Sequence, residues 1–146
     1  MGYYSVMHRG DFRSNLSLKE LQGKLARPRK DKRFSEISDD VVLSEQYSIQ
    51  EIELPKNDSG RFEIIPKDED FCGKHYNHEE LAQYLSEVIV PGEHAHLEFD
   101  GEDGNKWGWL IFAGEVKPVE YIATVDGIFL DEYIAGREIE NTTERR

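Results

Sequence analysis

The stretch His94-Ala95-His96-Leu97-Glu98-Phe99-Asp100 decides the fold, because its residues change character at every step. Ala95, Leu97 and Phe99 share one face of an extended chain, and His94, His96, Glu98 and Asp100 share the other. A period of two predicts a half-buried strand with one side against a core and one toward solvent. Gly101-Glu102-Asp103-Gly104-Asn105 has turn chemistry, and Trp107-Gly108-Trp109-Leu110-Ile111-Phe112, Gly114-Glu115 and a further strand from Val116 to Val125 follow it. Strands this close in sequence pair antiparallel, so this region is expected to form a meander.

Upstream, Leu81, Leu85, Val88 and Ile89, with Tyr84 beside them, form the apolar face of a helix that Pro91-Gly92 stops. Asn77-His78-Glu79-Glu80 supplies its N-cap and third-position glutamate. Ser17-Leu18-Lys19-Glu20 is a capping box that opens an earlier helix, with Leu18, Leu21 and Leu25 as its stripe and Pro28 at its end. Tyr3 to Phe12 reads as a first strand that bends near Gly10. Val41 to Ser44, Tyr47 to Leu54 and Arg61 to Ile65 read as strands, the last two joined as a hairpin through Pro55 to Gly60. The order β, α, ββ, α, βββ predicts an α+β fold, a mostly antiparallel sheet with two short amphipathic helices packed on one face. Residues 1–136 are expected to form a single compact domain and residues 137–146 a frayed polar tail.

Composition agrees. The chain has 146 residues, 38% of them hydrophobic and 33% charged, with 7 Phe, 7 Tyr and 2 Trp to fill one core. Its mean hydropathy is −0.68. No apolar run nears the roughly 20 residues that span a bilayer, and Met1-Gly2-Tyr3-Tyr4-Ser5 lacks the basic flank of a secretory signal, so a cytoplasmic protein is expected. A single cysteine, Cys72, excludes an intramolecular disulfide. The net charge of −12 is uneven: residues 1–33 hold nine Lys or Arg against three acids, and the remainder holds nine against 27.

Several constellations could carry chemistry. Cys72, His75, His94 and His96 supply ligand types that zinc takes, if a loop brings the first two beside the strand face. Zinc is thus an alternative to the expectation of no cofactor. His94, His96, Glu98 and Asp100 could instead tune one another for acid-base work, although a solvated strand face needs polar residues there anyway. Lys24, Arg27, Arg29, Lys30, Lys32 and Arg33 form a basic run suited to phosphate, but it lacks the interleaved aromatics of a single-strand binder, so direct nucleic-acid binding is not expected. Trp107 and Trp109 flank Gly108 and form either an aromatic platform or core. The phosphate-loop, dinucleotide-binding, nucleophile-elbow and zinc-protease signatures are absent from the sequence.

Gly2-Tyr3-Tyr4 opening a strand that runs into Gly10-Asp11, with Trp107-Gly108-Trp109 and the following Gly114-Glu115 turn, resembles small uncharacterised proteins of bacteriophages and bacteria that open with Met-Gly-Tyr-Tyr. That resemblance implies a phage-like origin in a host cytoplasm and brings no catalytic residues. The leading expectation is a non-enzymatic protein whose acidic surface occupies a basic nucleic-acid-binding site on a host enzyme or defence complex. Its contact residues would be Asp68, Glu69, Asp70, Glu79, Glu80, Glu98, Asp100, Glu102 and Asp103. Two rivals are a protein or enzyme acting on a small phosphorylated ligand, and an assembly protein that self-associates through the edge of the Trp107 to Phe112 strand.

Overall fold

The computed structural model of the chain describes residues 5–30, 40–52, 60–67, 72–73 and 76–144. In chain order the elements are β1 (Ser5–Arg9), β2 (Asp11–Arg13), α1 (Leu18–Leu25), β3 (Arg29–Lys30), β4 (Asp40–Val41), a 3-10 turn (Leu43–Glu45), β5 (Tyr47–Glu51), β6 (Arg61–Pro66), β7 (Cys72–Gly73), α2 (His78–Val88), β8 (Ala95–Gly101), β9 (Lys106–Phe112), β10 (Glu115–Val119), β11 (Thr124–Val125), β12 (Ile128–Phe129) and α3 (Leu130–Glu144). A five-stranded sheet has the order β10-β9-β8-β1-β7 and a three-stranded sheet the order β2-β6-β5. The strand pairs are antiparallel, so the fold is α+β, as the patterning predicts. Among the described residues no helix is long and apolar enough to cross a membrane.

Gly10 joins the two sheets. β1 belongs to one and β2 to the other, and between them the Gly10 carbonyl accepts the Ile64 amide at 2.9 Å. A Cβ at position 10 would lie 2.4 Å from the Ile64 carbonyl oxygen, so only glycine fits this crossing. Both helices face the same core, α1 against β5 and α2 against β9 and β10. The Tyr84 hydroxyl of α2 donates to the Leu21 carbonyl of α1 at 2.8 Å and ties the helices together. Phe12, Leu21, Leu25, Tyr47, Ile64, Leu81, Leu85, Leu97, Phe99 and Ile111 fill the space between.

α1 starts as the capping box requires: the Glu20 amide donates to Ser17 Oγ at 3.1 Å, and both halves of the box are present. α2 departs from the same expectation. Asn77 is left-handed, with φ of 64°, and its side chain does not cap the helix. Its Oδ1 instead accepts from Gln46 Nε2 at 3.0 Å, while Gln46 Oε1 takes the Tyr76 amide at 2.6 Å. A side chain from another element has won the groups that a local cap would use.

Three further stretches differ from the sequence expectation. Val41 to Ser44 is not a full strand: β4 stops at Val41, and the chain coils so that Leu43 enters the core. The strand expected from Val116 to Val125 breaks after Val119, where the chain leaves the sheet, and resumes as the separate β11–β12 hairpin. Leu130–Glu144 forms a third helix that the patterning does not predict, and its last turns run into the segment 137–146 expected as a tail.

Candidate functional site

The polar face of β8 meets β1 and β9 in one cluster. The period of two holds: Ala95, Leu97 and Phe99 are buried, and His96, Glu98 and Asp100 lie on the other side. On β1 the register shifts between Met7 and Arg9, since Met7 pairs with Phe99 and Arg9 with Glu98. That bulge exposes both His8 and Arg9 where alternation would hide one. His8 Nε2 lies 2.5 Å from Asp100 Oδ2, and Arg9 Nε donates to Glu98 Oε2 at 3.1 Å. Lys106 Nζ reaches Glu98 Oε1 at 3.2 Å and Asp100 Oδ1 at 3.7 Å.

Tyr121 closes this cluster from above. Its hydroxyl lies 2.8 Å from His96 Nε2, its ring stacks on the imidazole, and Lys106 Nζ stands 5.7 Å from the ring centroid. Gly108 makes the approach feasible, because a Cβ there would fall 2.5 Å from the Tyr121 hydroxyl. Electrostatics follow from these contacts. The hydrogen bond from His8 holds the Asp100 carboxyl below the usual aspartate range, with His8 and Lys106 charge adding to the effect. Hydrogen bonding to Glu98, with Asp100 nearby, raises Lys106. Burial, then the Glu98 charge, raises Tyr121.

The arrangement binds three strands and a strap through mutually satisfied charges. It does not present Glu98 and Asp100 as free carboxylates. Of the other acidic residues expected to form a contact surface, Glu80 is buried at 3% exposure, which removes it from that surface. Glu79 and Glu102 are exposed. Asp103 is exposed too, but its carboxylate holds the turn by accepting the Asn105 amide at 3.1 Å and Nδ2 at 2.8 Å. Asp68, Glu69 and Asp70 lie outside the described residues.

The zinc set is not assembled by the sheet. Val6 pairs with Cys72 on one side and with Asp100 on the other, so Cys72 is in line with Asp100 and four residues along from His96. At about 3.3 Å per residue that is roughly 13 Å of strand. His94 sits beyond the start of β8, beside Phe112, and His75 lies outside the described residues. Among the described residues no group of three ligand-type side chains could hold a metal ion.

Trp107 and Trp109 belong to the core side. Trp107 stacks on Phe99 and donates from Nε1 to His78 Nδ1 at 2.9 Å, while Trp109 meets Phe99 edge-on. The His78 ring lies flat on Phe99, with centroids 3.8 Å apart. β9, which carries both tryptophans, is hydrogen-bonded to β8 and β10, so it offers no free edge for another subunit. Of the basic run, Arg27 and Lys30 are exposed, Arg29 pairs with Glu87, and Lys32 and Arg33 lie outside the described residues.

A second surface lies within the span expected to form the compact domain. Beyond β10 the chain forms an arm, the β11–β12 hairpin with α3 resting on it, in which no described residue from 119 to 137 is buried. Ile122 is 57% exposed, Ile128 45%, Phe129 51%, Leu130 38% and Ile134 46%. Glu120, Asp126, Asp131 and Glu132 stand exposed among them. No protein-family model, curated protein or solved structure matches this chain.

Proposed function

We propose that the protein is a non-enzymatic binding module that docks on a partner protein through its C-terminal arm, and that the partner surface is apolar with a rim of Lys and Arg. The carrying observation is the set of five large apolar side chains, Ile122, Ile128, Phe129, Leu130 and Ile134, exposed together on one short arm. A two-stranded hairpin and a helix with no buried residue among its described positions 130–137 are each marginal in water, so covering these side chains favours association. Glu120, Asp126, Asp131 and Glu132 select the charge of that cover. Two acidic arms would repel each other, which favours a basic partner over a second copy.

Nucleic-acid enzymes display Lys and Arg clusters that hold phosphates, and an acidic arm seated there would exclude nucleic acid. The proposed consequence is inhibition. The carboxylates of the outer sheet face supply less, because Arg9 and Lys106 already pair with them and His8 hydrogen-bonds Asp100. An acid-base role for His96 is likewise disfavoured by its engagement with Tyr121.

The test compares the native chain with Phe129→Ser/Ile134→Ser as bait in host lysate, at low and high salt and with duplex DNA as competitor. A nucleic-acid enzyme retained by the native chain, released by salt and by DNA, and not retained by the variant is the expected result. Equal retention by the variant, or self-association of the native chain that the variant abolishes, would overturn the proposal.

A further inference from the structure

A cavity of about 240 Å³ at the end of α1 is lined by Lys24, Arg27, Pro28, Arg29 and Glu87. We propose that it binds a small phosphate monoester through the Lys24, Arg27 and Arg29 side chains. Three cations face one carboxylate here, in a chain whose net charge is −12. That carboxylate is committed, since Glu87 Oε2 takes Arg29 Nη2 at 2.5 Å. No carboxylate of the described residues pairs with Lys24 or Arg27.

Arg29 is held ready for an oxyanion. Glu87 fixes one end of its guanidinium, and the Tyr84 ring lies 5.5 Å from Cζ. A planar fork restrained in this way matches the paired oxygens of a phosphate, and the surplus of two positive charges matches a dianion. The backbone contributes little. The Ala26 and Arg27 amides already donate to Gln22 and Lys24 carbonyls, and the carbonyl end of a helix repels anions. Binding therefore depends on the three side chains.

Size and field argue for a small ligand. A polyanion leaving the cavity would run along a strongly acidic protein and be repelled, whereas one compact dianion is not. The site is separate from the arm, so the two proposals fail independently.

Inorganic phosphate and phenyl phosphate serve as probes, titrated by calorimetry and amide NMR at ionic strength held constant with chloride. The expected shifts cluster at residues 24–30 and Glu87, and binding strengthens as pH rises through the second phosphate ionisation, near about 6. Lys24→Ala/Arg27→Ala is expected to weaken affinity by at least about tenfold, since each removes a charge-assisted hydrogen bond, while Lys19→Ala on the same helix leaves it unchanged. Circular dichroism confirms that the variants fold. Equal affinity in the double variant, or shifts that chloride alone reproduces, would overturn the site. A 5′-phosphorylated oligonucleotide that binds more tightly than phenyl phosphate would overturn the small-ligand assignment.

Discussion

Replacing Gly108 with alanine tests whether the close approach of β8, β9 and Tyr121 is what holds this face together. The added Cβ would fall 2.3 Å from the Leu97 carbonyl oxygen and 2.5 Å from the Tyr121 hydroxyl. Both are about 1 Å inside ordinary carbon–oxygen contact. The two obstacles differ in kind. Leu97 belongs to the backbone of β8, whose ladder with β9 must part to make room, whereas the tyrosine can swing away. Overpacking a close-packed site costs about 1–3 kcal/mol, and a backbone obstacle puts this one near the top. Alanine returns about 0.5–1 kcal/mol by restricting the unfolded chain. The net loss is about 2 kcal/mol, which lowers Tm by roughly 4–8 °C in a chain of this size. Urea unfolding followed by the fluorescence of Trp107 and Trp109, which flank the site, measures it. The decisive comparison is Gly108→Ala in native and Tyr121→Ala backgrounds. If Leu97 is the obstacle, the loss is nearly the same in both; if it vanishes when Tyr121 is removed, the reasoning is wrong.

Gly10→Ala meets the Ile64 carbonyl oxygen at 2.4 Å at the junction of the sheets, and is expected to cost about 3 kcal/mol by the same denaturation assay. Tyr84→Phe removes the buried bond to the Leu21 carbonyl and is expected to cost about 1–2 kcal/mol. Burial raises Tyr47, with the Glu80 charge adding to it, and burial also raises Tyr84. Stability from these neutral phenols is therefore present below the usual tyrosine range, about pH 10, and is lost as pH climbs through the raised values. An ultraviolet titration is expected to show both ionising only as the protein unfolds. Asp100 is lowered by its bond from His8, so its contribution is present above about pH 4 and lost as pH falls through the lowered value. Asp100→Asn is expected to flatten the acid limb of the urea midpoint against pH; an unchanged limb would refute the assignment.

How far the sequence reveals this protein depends on whether a residue answers to its neighbours in the chain or to partners far away. The alternation in β8, the stripe of α2, the β5–β6 hairpin and the capping box of α1 are local patterns, and each appears as expected. Asn77 and Glu80 form almost the same local pattern as Ser17 and Glu20, yet Gln46, 31 residues away in sequence, takes the asparagine side chain. Local propensity cannot anticipate that competitor. The polar cluster divides in the same way. His96, Glu98 and Asp100 follow from period two, and Lys106 follows from the tight turn that sets it opposite Asp100. His8 and Arg9 do not follow, because a bulge breaks the parity of β1. Tyr121 is hidden further still, since it returns to the sheet from a chain that has already left it.

The uneven charge of the sequence has a structural explanation that differs from two opposed surfaces. Arg9 meets Glu98, Arg13 meets Glu93 and Arg29 meets Glu87, so cations of the first 33 residues are spent on carboxylates of the later ones. Each such pair joins residues far apart in the chain, and together they knit the N-terminal segment into the rest. Exposed pairs of this kind add little stability singly, about 0–1 kcal/mol, so their larger effect is to decide which charges are left over. Among the described residues the cations of the α1 cavity and the carboxylates scattered through the apolar arm are two clusters of charge left over in this way. Since each cluster carries a surplus of one sign, each is a place where an external partner gains by binding, and their opposite signs call for partners of opposite charge.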